Sequence, residues 1–154
     1  MKTEQLTPRL LSLLDGSLHA SHRHQAIRLS TVGACGWPYA AQLSYGEVLA
    51  VSAQQIRFAL WPNATTAANL QQNGKMTLAL VDDGAVIEIQ ALAQRRTETL
   101  TDAGILIFDA AVRQVVYHRA PYATVTSGLT FSLNDEHAAL ARWQQQIAGL
   151  KALS

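Results

Sequence analysis

The sequence has few of the features that mark a secreted or membrane-spanning protein. Its single cysteine, Cys35, has no partner for a disulfide within the chain. The N-terminus lacks the basic start and uninterrupted apolar core of a signal peptide. The longest apolar runs are broken by charge, glycine or proline well before the roughly 20 residues that a membrane-spanning helix needs. A cytoplasmic location is therefore expected.

Charged residues are also scarce. They make up 15% of the chain, against roughly 25% in typical soluble domains, while 49% of residues are hydrophobic. The 12 basic and 11 acidic residues give a net charge of +1 with no basic run, so neither nucleic acid nor a membrane is an expected partner. We expect one domain spanning residues 1–154, with part of its apolar surface buried in a homodimer.

Alternating apolar and polar residues predict a series of short strands. They fall at about 24–32, 37–44, 47–51, 56–61, 75–82 and 85–96. The Asp82-Asp83-Gly84 sequence predicts a hairpin between the last two. The segment Ala123–Leu133 is rich in β-branched residues and predicts a final strand.

Helical spacing predicts helices between and around these strands. One lies within residues 1–20 and begins at Thr7-Pro8, and another closes the chain at 134–152. A bridging helix at 64–73 is expected to be capped by Asn63 and stopped by Asn73-Gly74. A further helix is predicted at about 102–118, after a Thr101-Asp102 cap. Its apolar face would consist of Ile105, Phe108, Ala111, Val112 and Val115.

These elements predict an α+β fold that is mainly β. The closest architecture is a six- to seven-stranded antiparallel split β-barrel with a bridging helix and flanking helices. An open α+β sheet would give nearly the same pattern. A Rossmann domain is disfavoured, because consecutive strands are joined by short connections and no GxGxxG is present.

No group of residues predicts a catalytic or metal site. His19, His22 and His24 have a spacing that metal sites use, but a solvated junction between helix and strand is the better interpretation. If the protein is an enzyme, a cofactor is expected to supply its chemistry. The best candidate site is the start of the bridging helix, where free N–H groups and two hydroxyls lie beside Trp61. That chemistry suits the phosphate of a flat aromatic ligand, although an ordinary strand-to-helix connection would look the same.

Several segments resemble the pyridoxamine 5'-phosphate oxidase-like, FMN-binding split-barrel superfamily. They are IRLSTV, GWP, AAQLS, IRFALWPNATTAANL and NGKMTLALVDDG, in the order that this family uses. The resemblance extends from about Gln25 to Leu133. WPNATTAANL, LSYGE and VTSGLTF are especially similar to a subgroup of short members.

The resemblance implies a dimeric split barrel that holds FMN at the subunit interface and acts as an oxidoreductase on a small molecule. The flavin ring would lie against Leu60 and Trp61 and contact the backbone at Leu43 and Ser44. Its phosphate would bind at Ala64, Thr65 and Thr66.

Three positions that are basic in the family are Ala41, Thr65 and Thr66 in this chain. Arg28, Arg57, Lys75 or the Arg95-Arg96 pair are therefore candidates to supply the missing charge. The alternative is a flavin-free split-barrel dimer that binds a small ligand or has a structural role. A deazaflavin or haem binder on the same fold is a third hypothesis.

Overall fold

The computed structural model describes residues 1–101 and 103–154, which form eight strands and three helices. The strands are β1 (Lys2–Thr3), β2 (Ile27–Val32), β3 (Pro38–Leu43), β4 (Val48–Ser52), β5 (Gln55–Leu60), β6 (Lys75–Asp82), β7 (Ala85–Leu100) and β8 (Ile105–His118). The helices are α1 (Pro8–Leu13), α2 (Thr65–Asn73) and α3 (Glu136–Lys151). Within the described ranges, no helix is long and apolar enough to cross a membrane.

All strand pairs are antiparallel, in the order β3-β2-β6-β7-β8-β5-β4, with β1 added alongside β8. The two end strands of this order are β3 and β4, which are consecutive in the chain but form no ladder with each other. The barrel is therefore split at this point. The predicted mainly β, antiparallel split-barrel class with a bridging helix is confirmed.

The barrel interior is filled by alternate residues of the strands. In β6, for example, Met76, Leu78 and Leu80 are buried and the residues between them are more accessible. The largest fully buried side chains are Phe58 and Phe108, whose rings stack with centroids 5.5 Å apart. Removal of this apolar surface from water is the main stabilising contribution to the barrel.

The helix ends follow the predicted signals in two of three cases. The Thr7 hydroxyl accepts a hydrogen bond from the N–H of Leu10 at 3.3 Å and begins α1, which is shorter than predicted. Gly74 ends α2 in the left-handed conformation, at φ 73°. The predicted cap by Asn63 is wrong, because Ala64 holds the N-cap position and no side chain bonds to the helix start.

The predicted helix at about 102–118 is wrong, because Ile105–His118 form strand β8, which pairs with β7 and β5. The helical pattern arose because Ile105 to Phe108 are all buried, one face against the barrel core and the other against α3. A β-bulge at Arg113 then shifts the alternation by one residue. The Thr101 hydroxyl bonds the N–H of Ala103 within the β7–β8 turn, and Asp102 lies outside the described residues.

The predicted final strand at Ala123–Leu133 is also wrong, since this segment forms no ladder. It is tied down by single bonds, including those from the N–H of Ala26 to the carbonyl of Leu129 and from Phe131 to His24. Its β-branched residues are mostly exposed, so they do not pack against a sheet. Composition alone could not reveal this.

Helix α3 lies across the outside of the barrel. Trp143 rests directly on Gly46, where an added Cβ would meet the indole at 2.1 Å. Ile147 and Leu150 join Ile105 and Ile107 of β8 in a second, smaller core cluster. The helix thus covers the open end of the sheet between β4 and the β7–β8 turn.

The end of α3 is fixed by the buried side chain of Arg57 on β5. Its Nη1 donates to the carbonyls of Leu150 and Leu153 at 2.9 and 3.1 Å, while Nε donates to Asp109 at 2.7 Å. Arg96 also donates to Asp109, at 2.7 Å. Burial opposes ionisation of Asp109, but the bonds from Arg57 and Arg96 outweigh it and hold its pKa below the usual range.

Candidate functional site

The ends of β3 and β5 are connected through Glu47. The N–H and the hydroxyl of Ser44 both donate to Glu47 Oε1 at 2.8 Å. The backbone carbonyl of Glu47 accepts from the N–H of Ala59 at 3.1 Å. Leu43 and Leu60 are buried, at 4% and 6% exposure. The structure therefore brings these predicted ring-contacting positions close together, but the polar groups of Ser44 are already engaged.

Trp61 follows β5 and forms one wall of a cavity of about 560 Å³, which we call the Trp61 cavity. Its indole is 58% exposed. Other walls come from Glu47, from Leu100 and Ile105 at the β7–β8 turn, and from Arg142 and Gln146 of α3. The volume lies within the range of about 300–1,000 Å³ that small-molecule sites have. An accessible indole, an aliphatic floor and a polar rim are suitable for a flat ligand.

The start of α2 is electrically neutral. Thr66 is buried at 2% exposure, while Thr65 is exposed. The helix has no charged residue in its first turn and no side-chain cap, and neither of these threonines nor Ala64 lines the Trp61 cavity. Ala41, paired with Leu29 on β2, adds no charge. The residues present here thus do not fit the phosphate dianion of FMN, for which charge-assisted bonds are usual.

The proposed replacement cations fall into two groups. Arg57 and Arg96 are held by Asp109, and Arg96 also by Glu98, so their bonding capacity is used in stabilising the fold. Arg95 bonds Gln71 at 3.1 Å. Lys75 and Arg28 instead lie on the outer face of the sheet, and each lines a surface groove away from Trp61.

The histidines lie at the junction between α1 and β2. His22 Nε2 lies 3.1 Å from Asp82 Oδ1, and His24 Nε2 lies 2.5 Å from Glu136 Oε1. Burial disfavours ionised Asp82, but hydrogen bonds from Arg9 hold its pKa below the usual range. Across residues 1–101 and 103–154, no three His, Cys, Asp or Glu side chains are grouped as metal ligands.

Sequence reasoning missed Glu47, Arg142 and Gln146 as cavity residues. Glu47 is separated by two residues from Ser44, and that spacing is typical of a turn closed by a side chain. Arg142 and Gln146 are four residues apart, so they lie on one face of α3. No local signal indicated which strand that face would meet.

The chain is similar to one curated protein along nearly its full length. It is 36% identical over 148 residues to the uncharacterized protein YclD of Bacillus subtilis strain 168, covering 95% of this chain and 96% of YclD. No protein-family model matches the chain.

Solved structures with the same fold are much more distant in sequence. A proposed pyridoxamine 5'-phosphate oxidase from Lactobacillus delbrueckii has a TM-score of 0.59 at 15% identity, over 74% of this chain and 95% of its own. An FMN-binding protein from Syntrophomonas wolfei has a TM-score of 0.50 at 18% identity, over 71% and 86%. The haem storage protein HutZ from Vibrio cholerae has a TM-score of 0.51 at 14% identity, over 73% and 95%. The chain therefore belongs to the same family as YclD, and its fold is the split barrel of the pyridoxamine 5'-phosphate oxidase-like proteins.

Proposed function

We propose that this protein binds a flavin of the FMN type in the Trp61 cavity and acts as an oxidoreductase on a small molecule. The observation that carries the proposal is the accessible indole of Trp61 beside an aliphatic floor of Leu100 and Ile105. The fold it shares with an FMN-binding protein from Syntrophomonas wolfei supports the choice of ligand. A bound flavin would supply the hydride chemistry, since none of the described lining residues form an acid-base or nucleophile constellation.

The protein's own residues would have two roles in this site. Trp61 offers a flat apolar face to the ring, and Arg142 with Gln146 offers polar contacts at the rim. Helix α3 would exclude water from one side, because Trp143 anchors it on Gly46. The carboxylate of Glu47 adds negative charge to the wall, so a phosphate gains little there. Binding energy is therefore expected to come mainly from the ring.

This division of binding energy can be measured with two flavins. FMN and riboflavin are each titrated into the protein, and tryptophan fluorescence and flavin absorbance are recorded. Because the described lining of the Trp61 cavity pairs one cation, Arg142, with one carboxylate, Glu47, a phosphate gains little net charge attraction there. We therefore expect similar dissociation constants, within about fivefold. A preference for FMN of a hundredfold or more would contradict the proposed contribution of the ring.

The role of Trp61 has a matched control in Trp37, which is 75% exposed in the β2–β3 turn and lines neither large cavity. Trp61→Ala is expected to weaken flavin binding at least about fivefold, since one base-sized aromatic stacking contact contributes roughly 1–3 kcal/mol. Trp37→Ala should leave it unchanged. Equal affinities in the two variants, or no flavin binding by the unaltered protein, would refute the proposal.

A flavin-free, ligand-binding barrel is the second candidate. It is favoured by the neutral start of α2 and by the engagement of Ser44 with Glu47. The fold shared with HutZ adds haem as a competing ligand. The absorbance spectrum of protein purified from its native host separates these cases, because a flavin, a haem and an apoprotein differ clearly in the visible region.

We also propose that the protein is a homodimer. Large apolar side chains stay exposed in the single chain, notably Tyr122 at 90% and Leu129 at 56%, and charged residues to keep such a surface soluble are few. Light scattering should give twice the chain mass of 16.7 kDa. A stable monomer at micromolar concentration would contradict this.

A further inference from the structure

The outer face of the sheet carries a second large cavity, which we call the sheet groove. Its volume is about 570 Å³, and it lies across β2, β6, β7 and β8. It shares no lining residue with the Trp61 cavity. A ligand there would therefore contact none of the described residues that line the Trp61 cavity.

The sheet groove combines an apolar floor with two cations. Val32, Pro38 and Leu92 supply apolar surface, and Lys75 and Arg113 supply positive charge. None of the ion pairs found among the described residues involves either cation. The lining, as far as the structure describes it, contains no carboxylate, so an anion would meet no opposing charge there.

A backbone irregularity places one of these cations in the groove. Gln90 pairs with Gln114 and Ala91 pairs with Val112, which leaves Arg113 as the extra residue of a β-bulge. Before the bulge the buried residues are the even-numbered Ala110 and Val112, and after it they are the odd-numbered Val115 and Tyr117. In a regular strand only one of two consecutive residues would face outwards, whereas the bulge turns Arg113 towards the groove beside Gln114. Bulges that re-aim a side chain are over-represented next to functional sites.

The hydroxyls and amides of the groove complete this chemistry. Ser30, Thr77 and Gln90 line it and offer neutral hydrogen-bond donors. Two unpaired cations, neutral donors and an aliphatic floor match a small molecule with an anionic group at one end and an apolar body at the other. A ligand without charge would leave both cations without a partner, and an inorganic anion would leave the aliphatic floor unused.

We propose that the sheet groove is a binding site for a small organic anion, a phosphate or carboxylate with an apolar body. Lys75 and Arg113 contact the anionic group, and Val32, Pro38 and Leu92 contact the apolar body.

The test uses four probes with the full-length protein: phenyl phosphate, benzoate, phenol and inorganic phosphate. Calorimetry should show that phenyl phosphate or benzoate binds at least tenfold more tightly than both phenol and inorganic phosphate, and the tighter of the two identifies the anionic group. Lys75→Gln with Arg113→Gln should weaken that binding at least tenfold, the loss expected from a charge-assisted bond. Lys2→Gln with Lys151→Gln removes the same charge outside the groove and should leave binding unchanged.

Leu92→Glu provides a second test that keeps both cations. A carboxylate placed in the groove should also weaken anion binding at least tenfold, while the Trp61 cavity and its flavin affinity stay unchanged. No binding of either organic anion at millimolar concentration would overturn the proposal. Equal affinities of the groove variants and the control variants for the organic anion would also overturn it. A change in the oligomeric mass of the groove variants with no change in anion binding would do the same, because the groove would then be a subunit interface.

Discussion

Replacement of Arg57 by methionine should destabilise the protein more than any exposed ion-pair substitution. Arg57 is 2% exposed and links β5 to β8 through Asp109 and to the end of α3 through two carbonyls. Methionine fills similar space but donates no hydrogen bond. The carbonyls of Leu150 and Leu153 would lose this donor, and Asp109 would keep its bond from Arg96.

The size of the effect follows from these partners. Removal of one member of a buried ion pair costs about 3–5 kcal/mol. Because Arg96 still neutralises Asp109, we expect the lower end, about 3 kcal/mol in the free energy of unfolding. For a domain of this length, that corresponds to a fall in Tm of about 6–12 °C.

Urea unfolding followed by far-UV circular dichroism would measure this loss. Arg119→Met is the matched control, since Arg119 pairs with Asp83 at 2.9 Å with both side chains half exposed, and such pairs contribute less than about 1 kcal/mol. Equal losses in the two variants, or a loss below about 0.5 kcal/mol for Arg57→Met, would refute the reasoning. Since α3 also lines the Trp61 cavity, flavin affinity should fall along with stability in Arg57→Met and not in Arg119→Met.

Two further predictions concern packing and pH. Gly46→Ala would place a methyl group 2.1 Å from the indole of Trp143, so it should lower the free energy of unfolding, measured by thermal unfolding, by about 1–3 kcal/mol. Trp143→Leu in the same chain should recover part of this loss. A Gly46→Ala protein as stable as the wild type would contradict the contact. The lowered pKa values of Asp82 and Asp109 mean that the folded protein binds fewer protons than the unfolded chain at low pH. Their stabilising contribution is therefore complete above the unfolded carboxyl pKa of about 3.9 and is lost as the pH falls through the lowered folded values. Urea midpoints at pH 6 and pH 3 should differ, and the difference should shrink in Asp109→Asn; an unchanged midpoint would argue against both ion pairs.

The sequence by itself determined the elements whose signals are local. Six strands, the bridging helix with its glycine stop and the closing helix all follow from alternation, helical spacing and turn residues within a few positions of one another. The Asp82-Asp83-Gly84 hairpin was predictable because its conformation depends on residues that tolerate positive φ, and Asp83 and Gly84 both adopt it. The resemblance of these segments to a known family indicated the barrel as a whole.

Only the tertiary structure decided what depends on neighbours distant in sequence. Residues 105–118 have the spacing of a helix but form strand β8. The spacing misleads because α3 covers the outer face of a segment whose inner face is buried in the barrel core. Ala123–Leu133 has the composition of a strand but forms only isolated bridges and no ladder with another strand. The candidate sites also depend on contacts between distant segments. Helix α3 makes Trp61 part of a cavity, and a bulge opposite Gln90 directs the side chain of Arg113 towards the sheet groove. Strand and helix propensities act within a few residues, whereas burial, pairing and the grouping of charges are set by the contacts that folding makes between segments far apart in the chain.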